Sequence, residues 1–593
     1  MTGPVPGRRA WRPGAGPVTH RTLLRAYLGP QRGSVVVMVV LLVASILLEI
    51  AEPRIVAHFI ESVQLGRPEG ALVAIALLFL GVAAFRQVGR VIAAYASERV
   101  SWTATNAARE DLAAHVLDLD LSFHESRSPG ELIERIDGDV NQVAEFFSSL
   151  IVHLVGSVLL VVGILTALTF LDWRIGLTFA AVTLVGLYGL AKVAAIATVK
   201  WEDDREQSAR FFGYVSESVR ATEDLRSSAA TGHAMARFHR HLRAWLPVKV
   251  RAEGWGSAIW VVLSLVFTAC MAFAFGYGGL FYRNGTISFS GVYLVVAYAT
   301  MLTTPIEVLR LQVQNLQQAG AAIRRIAELF GHRSTVLDGT EPLPHGALSV
   351  RFERVGFEYT SEETPEPKKI MHELSFHVPA GETLGLVGRT GAGKSTIAHL
   401  LSRMYDPGEG RVLLGGVDTR EATLASLRAQ VGLVTQDVQV FDASLRDNLT
   451  FFDDTVHDDR LMAILDELEL RPWLATLPDG LSSRISPSTL SAGQGQLLAL
   501  ARVFLKDPGL IILDEPSSKL DLVTEAMVER ALDRMLAGRT AIVIAHRLDT
   551  ILRADRVLVL DGGAVVESGA TSDLLGDPGS RLAELHRIGQ VLR

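Results

Sequence analysis

Eight consecutive residues combine glycines, a lysine and a serine in a spacing that suits phosphate binding. They are Gly388, Arg389, Thr390, Gly391, Ala392, Gly393, Lys394 and Ser395. An apolar run at 383–387 precedes them and a helical pattern begins near Thr396, so we predict a strand, a glycine loop and a helix. Backbone N–H groups of such a loop turn towards phosphate oxygens, Lys394 adds positive charge, and the Ser395 hydroxyl can ligate Mg²⁺. A chance glycine turn is the alternative, and the flanking pattern argues against it.

A pair of carboxylates follows a second apolar run further along the chain. Residues 510–513 read as a buried parallel strand, and Asp514 and Glu515 come at its end. Asp514 is a candidate for the Mg²⁺ shell, and Glu515 for polarising a water that attacks a terminal phosphate. Many strands end in acids, so this feature alone is moderate support. The segment upstream that sharpens it reads Leu490-Ser491-Ala492-Gly493-Gln494.

These motifs follow one another in the same order as the motifs of the ATP-binding cassette (ABC) family, which the chain resembles over nearly its whole length. Residues 490–494 match the family's LSGGQ signature, with Ala492 in place of its first glycine. The resemblance implies that Tyr359 stacks on adenine, that Gln436 senses the γ-phosphate and Mg²⁺, and that His546 is the switch histidine. Each of these three has an ordinary structural explanation when read alone, and their order favours the functional one.

The resemblance also implies how the site is completed. In this family two nucleotide-binding domains close head to tail, so each ATP lies between one chain's phosphate loop and the other chain's signature. Ser491, Gly493 and Gln494 are therefore expected at the ATP of the partner, at the positive N-terminal end of a helix. ATP and Mg²⁺ are the implied cofactors, Glu515, His546 and Gln436 the implied catalytic residues, and a second half-transporter the implied partner.

Hydropathy marks the N-terminal half as a membrane domain. Hydrophobic residues make up 49% of the 593 residues, and the mean hydropathy of +0.28 is high for a soluble enzyme. We predict six bilayer-spanning helices from apolar runs of sufficient length. They lie at about 35–56, 70–92, 150–171, 175–195, 257–281 and 290–308. The loops between paired spans are too short for a soluble domain to enclose these runs.

Charge and composition predict the orientation and the domain order. The tail before the first span is rich in arginine, whereas the three short loops carry one arginine each, so the N-terminus is expected in the cytoplasm. The predicted fold is an all-α six-helix transmembrane domain followed by an α/β P-loop domain, in the cell membrane with its nucleotide-binding part cytoplasmic. The expected boundaries are a disordered basic tail at 1–18, the transmembrane domain with long cytoplasmic helical extensions at 19–330, a linker at 331–346 and the nucleotide-binding domain at 347–593.

The resemblance is to the exporter architecture, in which cytoplasmic extensions end in short coupling helices that rest on the nucleotide domains. Residues 121–132 resemble the first coupling helix, and residues 208–214 occupy the place expected for the second. The single cysteine, Cys270, excludes an intramolecular disulfide and a cysteine-rich metal site. No DNA-binding element is predicted, so nucleic acid is not an expected partner.

Departures from the family pattern concern the identity of the partner chain. The loop before the signature, at 484–489, lacks the glycine and glutamate that relatives usually carry there, and Gly495 stands where a basic residue is common. Glu515, in contrast, is intact. This combination favours a heterodimer whose other chain has an altered catalytic glutamate, over a homodimer with two working sites.

The predicted function is ATP-driven export of a hydrophobic or amphipathic compound such as a drug, lipid or peptide. An importer on the same scaffold, of the siderophore-uptake type, is the main alternative, and six spans argue against a non-transport ATPase. Several charges fall in the first two spans, and they either pair with one another or line a cavity. These residues are Glu49, Glu52, Arg54, Arg86 and Arg90.

Overall fold

The computed structural model describes residues 25–27, 29–359, 368–514, 522–544 and 551–591. The tail predicted to be disordered lies outside the described residues, as do Glu515 and His546. The chain forms two compact units. The first contains the residues up to Leu117 and Gly130–His332, and the second contains Asp118–Pro129 and Arg333–Arg593.

Long apolar helices build the first unit. The helices of the N-terminal half are α1 (Arg32–Gln64), α2 (Glu69–Leu117), α3 (Leu121–Glu125), α4 (Pro129–Ile133), α5 (Val140–Ser149), α6 (Gly156–Leu171), α7 (Trp173–Arg220), α8 (Thr222–Ser227), α9 (Thr231–Arg283), α10 (Phe289–Met301) and α11 (Thr303–Gly331). Two π-helical turns, Glu134–Asp139 and Leu150–Val155, flank α5. In the described part of the chain, six helical segments are long and apolar enough to cross a membrane, which confirms the predicted number.

Three of these helices are much longer than a bilayer requires. Helices α2, α7 and α9 contain 49, 48 and 53 residues. At a rise of 1.5 Å per residue each extends about 70–80 Å, against a hydrocarbon thickness of about 30 Å. The spanning helices therefore continue well past the membrane, as their helical periodicity predicted.

The prediction for the second coupling helix was wrong. Residues 208–214 lie inside α7, and the short helix between α7 and α9 is α8, Thr222–Ser227. The reason is packing: Phe211 is buried, and its ring centroid lies 5.1 Å from that of Phe238 and 5.3 Å from that of Trp245 on α9. The aromatic residues at 211–212 thus hold two long helices together, and helix α7 ends only at Arg220.

Two main sheets and their covering helices form the second unit. The strands are β1 (Val350–Tyr359), β2 (Lys368–Val378), β3 (Thr383–Gly388), β4 (Glu409–Leu414), β5 (Val417–Asp418), β6 (Val431–Val434), β7 (Ala443–Ser444), β8 (Arg484–Ile485), β9 (Leu510–Asp514), β10 (Thr540–Ile544), β11 (Arg556–Asp561) and β12 (Ala564–Ala570). An antiparallel sheet has the order β2-β1-β4-β5, and a six-stranded sheet has the order β12-β11-β3-β10-β9-β6. Neighbours from β11 to β6 are parallel. Strands β9 and β10 are almost continuously apolar because helices cover both faces of a parallel sheet.

Helices of this unit follow the strands in an α/β pattern. They are α12 (Lys394–Leu401), α13 (Leu424–Gln430), α14 (Leu445–Thr450), α15 (Asp458–Glu467), α16 (Arg471–Leu474), α17 (Ala492–Lys506), α18 (Leu522–Leu536), α19 (Thr571–Gly576) and α20 (Arg581–Val591). Strand register fixes where functional residues emerge. Ile544 of β10 is paired with Leu386 of β3 and with Asp514 of β9, while Leu513 is paired with Val434 of β6. The carboxyl ends of four strands therefore meet at one edge of the sheet.

Candidate nucleotide-binding site

The glycine loop joins β3 to α12 in a conformation that side chains would obstruct. Gly391 and Gly393 have φ of 85° and 99°, in the left-handed region that favours glycine. A Cβ on Gly388 would lie 2.5 Å from the carbonyl oxygen of Leu560. Lys394 Nζ donates hydrogen bonds to the carbonyl oxygens of Gly388, at 2.8 Å, and Arg389, at 3.1 Å. The loop thus presents the start of α12 and an ammonium group on the same side, which suits a phosphate chain.

A hydroxyl and a carboxylate meet beside this loop. Ser395 Oγ donates to Asp514 Oδ2 at 3.1 Å, which brings the first turn of α12 to the end of β9. Both are hard oxygen donors, and Mg²⁺ is typically held by one or two such protein groups together with phosphate oxygens. The donor set therefore fits Mg²⁺. Glu515 is the next residue of the chain and lies outside the described part.

The predicted adenine platform lies beside the same helix. Tyr359 ends β1, and its hydroxyl is 3.2 Å from Thr396 Oγ1 and 3.4 Å from His399 Nδ1, both on α12. Burial raises the pKa of Tyr359 and lowers the pKa of His399, so both rings are neutral at pH 7. Tyr359 is therefore half-buried within reach of the helix that follows the phosphate loop, where a base-stacking ring is needed.

Gln436 follows β6 at the same sheet edge. The carbonyl oxygen of Gln436 accepts a bond from Gln496 Nε2 at 3.4 Å. Arg502, which the motif analysis missed, fixes the segment that follows: it donates to the carbonyl oxygens of Gln439 and Asn448, each at 2.7 Å. Burial lowers the pKa of Arg502 to about 10, so it remains charged at pH 7. Arg502 lies on the same helix as the signature, and no sequence motif indicated this role.

The signature segment starts a helix, as the motif predicted. Ser491 is the N-cap of α17, and a capping box joins it to Gln494, with Gln494 N donating to Ser491 Oγ at 3.2 Å and Ser491 N donating to Gln494 Oε1 at 3.1 Å. Ser491 and Ala492 are exposed, and Gly493 is buried. Within the described ranges, the Ser491 hydroxyl bonds to Gln494 alone, and the Ser491 carbonyl oxygen accepts the helical bond from Gly495 N at 3.0 Å. The structure thus leaves the start of α17 facing outwards instead of tied to the phosphate loop of its own chain.

A second contact that the sequence did not predict links helix α3 to the aromatic group around Tyr359. Helix α3 covers the first five residues of the predicted first coupling helix, 121–132, whose later part lies in α4, and α3 belongs to the nucleotide-binding unit. Tyr405 Oη donates to Glu125 Oε2 of α3 at 2.6 Å, and the Tyr405 ring lies edge-on to Tyr359 at 5.4 Å. Burial and the neighbouring carboxylate raise the pKa of Tyr405. Asp120, one residue before α3, accepts bonds from the backbone and hydroxyl of Thr335 at 2.7 and 2.6 Å.

The fold and site define a membrane protein with a P-loop ATPase domain, and comparison with known proteins identifies the family. Residues 35–306 match the ABC transporter transmembrane region, and residues 371–518 match the ABC transporter family. The chain is 31% identical to an uncharacterized ABC transporter ATP-binding protein, YknV of Bacillus subtilis, over 79% of this chain and 78% of that protein. It is 30% identical to an ATP-dependent lipid A-core flippase of Thiobacillus denitrificans, over 86% of this chain and 88% of the flippase.

A solved structure agrees with this assignment. The structure of a bacterial Atm1-family ABC exporter with ATP bound aligns with a TM-score of 0.75 at 27% identity, and the alignment covers 95% of this chain and 98% of the exporter. The chain belongs to the ABC transporter family. It is a multi-pass membrane protein of the exporter half-transporter type, which functions as a dimer, binds ATP and couples ATP hydrolysis to transport.

Two substitutions should separate nucleotide binding from hydrolysis. Glu515→Gln should lower the ATP turnover by about 10²–10⁴-fold while ATP still binds, because Glu515 is the residue predicted to orient the attacking water. Lys394→Ala should instead weaken ATP binding itself, because it removes charge facing the phosphates. Equilibrium binding of a labelled ATP analogue and steady-state phosphate release distinguish the two effects. An equal loss of binding in both variants would contradict the assigned roles.

Proposed function

We propose that this protein exports a hydrophobic or amphipathic compound from the cytoplasmic side of the cell membrane. The observation that carries the proposal is the placement of helix α3, which follows spanning helix α2 directly but belongs to the nucleotide-binding unit. A segment of the membrane half is thereby built into the ATPase half, as exporter-type coupling requires. Two of the relatives are ATP-dependent lipid A-core flippases, and a lipid cargo in relatives supports an amphipathic cargo here.

The roles of the nucleotide site follow from its geometry. Lys394 and the loop N–H groups would hold the phosphates, and Tyr359 would stack on the base. Ser395 and Asp514 would hold Mg²⁺, with Gln436 at the same edge, and the ion would neutralise charge on the transferred phosphoryl group. Glu515 would orient the attacking water. His546 would contact the γ-phosphate from the end of β10, because it comes two residues after Ile544.

Closure of two nucleotide domains would complete each site. The exposed N-terminal end of α17, with Ser491 at its cap, would face the γ-phosphate bound by the opposite chain, where the helix dipole stabilises negative charge. The arginine-rich tail supports a cytoplasmic N-terminus, which puts the nucleotide domain in the cytoplasm as well. ATP binding would then close the cytoplasmic side of the cargo pathway, and hydrolysis would reopen it.

We further propose that the second subunit is a different chain. Gly495 lies where relatives often carry a basic residue, and a Cβ at this position would meet only Val438, at an ordinary 3.9 Å. Packing therefore does not require glycine at position 495. The loss of the basic residue then has no structural cause, which supports the proposal that this signature completes a weakened ATP site. The intact Glu515 would then serve the site completed by the partner's signature.

Transport direction is testable in membrane vesicles. Inside-out vesicles that contain the protein and its partner should accumulate an amphiphilic fluorescent compound when ATP is added outside, because the nucleotide domains then face the added ATP. Vesicles with Glu515→Gln should show less than about a tenth of that uptake, following the loss of hydrolysis. ATP-driven efflux from inside-out vesicles would indicate import and contradict the proposal.

The hydrogen bond between α3 and the nucleotide domain should matter for coupling. Tyr405→Phe removes only the hydroxyl that bonds to Glu125 and keeps the ring against Tyr359. We expect the cargo-stimulated part of ATP hydrolysis to fall about 2- to 10-fold, the usual worth of one such bond, with basal ATP binding preserved. Tyr214→Phe, which removes a 2.7 Å hydroxyl bond to the Ala234 carbonyl in the membrane unit, is the matched control. Identical stimulation in the wild-type protein and Tyr405→Phe would exclude this link.

Subunit identity predicts the effect of repairing the signature. With a partner that lacks a competent catalytic glutamate, Ala492→Gly combined with Gly495→Arg should change ATP turnover by less than about twofold, because the repaired signature completes an inactive site. In a homodimer, the same repair acts on both working sites. Robust ATPase activity of this chain purified alone would eliminate the heterodimer.

A further inference from the structure

A cavity with both apolar and charged walls lies inside the membrane unit. It measures about 540 Å³, within the range of small-molecule sites, and lies between α1, α2, α6 with the turn before it, and the α10–α11 junction. Its polar lining consists of Ser45, Glu49, Arg90, His153, Ser157 and Thr304. Leu42, Leu160 and Met301 are among its apolar walls. Charged and apolar groups thus share one pocket within spanning helices.

Two arginines of α2 lie near this cavity, and only one of them forms ion pairs with described side chains. Arg86 is 2.6 Å from a carboxylate oxygen of Glu52 and 3.9 Å from one of Glu49, so it is already matched by two acids. Arg90, one turn further along α2, has no ion-pair or hydrogen-bond partner among the described side chains. Arg90 is therefore the cation of this cavity without a direct partner among the described side chains, and the residue is exposed.

Helix geometry gives the depth of the cavity. Glu49 precedes the end of α1 by fifteen positions and Arg90 follows the start of α2 by twenty-one, which correspond to about 23 Å and about 32 Å along the helices. Both distances are measured from the short loop at 65–68, and the hydrocarbon layer is about 30 Å thick. The cavity thus lies in the half of the membrane opposite this loop, and Arg90 is near the far interface. With the proposed orientation, that is the cytoplasmic leaflet.

We infer that this cavity binds the cargo and that the cargo is an anionic amphiphile. A carboxylate or phosphate group pairs with Arg90, whose planar guanidinium donates two parallel hydrogen bonds to such a group. The apolar body lies against Leu42, Leu160 and Met301. A cationic cargo fits less well, because Glu49 already faces Arg86. This inference rests on the proposed export function, for which it specifies the class of cargo and the residue that selects it.

Binding to the full protein in phosphatidylcholine nanodiscs tests the inference. The probes are dodecyl phosphate, dodecanoate, dodecanol and dodecyltrimethylammonium, which share one chain and differ in charge. We expect the two anions to bind more tightly than the other two. Arg90→Gln should weaken dodecyl phosphate binding about 10- to 100-fold, the range for a lost hydrogen bond to a charged group, and Arg90→Lys should restore only part of it, because the charge returns without the paired hydrogen bonds. Arg67→Gln, in the loop between α1 and α2, is the matched charge control and should change nothing.

A second variant has the opposite expected sign. Glu49→Gln removes negative charge from the cavity and leaves Arg86 paired with Glu52, so it should tighten dodecyl phosphate binding several-fold. A gain in affinity cannot come from a misfolded protein, so this variant also controls for loss of folding. Equal affinity for the anionic and cationic probes, unchanged affinity in Arg90→Gln, or no binding of either anion would overturn the inference. If the vesicle assay still shows ATP-driven uptake after one of these binding results, only the inferred cargo class is wrong. If the vesicle assay shows no uptake, the proposed export function is wrong as well.

The source of the anion is settled by competition. Phosphatidate added to the nanodisc bilayer should displace dodecyl phosphate when the cavity takes its ligand from the leaflet. Water-soluble butyl phosphate should displace it when the anion arrives from the aqueous side. If either competitor displaces dodecyl phosphate from the wild-type protein but not from Arg90→Gln, the result supports anion binding at Arg90. Failure of both competitors at concentrations that saturate the anionic probes would contradict it.

Discussion

Neutralisation of a triphosphate is the constraint around which the nucleotide-binding unit is organised. Several negative charges must be held where one sheet edge, one helix start and one lysine converge. The parallel order β3-β10-β9-β6 suits this need, because the carboxyl ends of the four strands lie at one edge. The 3.1 Å bond between Ser395 and Asp514 shows that segments far apart in sequence meet at this edge. Asp514 ends one of these strands, and Glu515 and His546 follow the ends of β9 and β10 in the sequence.

A short helix that follows α2 in the chain packs within the nucleotide-binding unit. Helix α3 reaches Tyr405 through Glu125, and Tyr405 contacts Tyr359 beside the phosphate-loop helix. A change in how the base or the phosphates are held therefore has a direct route to a segment continuous with α2. In the proposed heterodimer, the altered signature at Ala492 and Gly495 would weaken one of the two ATP sites and leave the contact between Tyr405 and Glu125 unchanged.

Much of this organisation could be predicted from the sequence, and the failures have physical causes. The phosphate loop, the acidic strand end and the capped signature helix are local patterns, and six apolar runs follow from composition, so all were readable. The second coupling helix was misplaced because aromatic packing of Phe211 on α9 extends α7 beyond it. The contact between Tyr405 and Glu125 joins residues 280 positions apart, and no local spacing indicates it. Likewise, the sequence marked Arg86 and Arg90 together, and only the structure shows that one is paired.

The most direct test of the account is whether ATP joins the phosphate loop of one chain to the signature of another. A Cys270→Ser background removes the single native cysteine and permits Thr390→Cys and Ala492→Cys to be oxidised in the assembled transporter, with cysteines at the matching positions of the partner. The account predicts a disulfide between two polypeptides that forms when ATP binds and is lost with Lys394→Ala. A disulfide confined to one polypeptide, or one that forms equally without ATP, would contradict it.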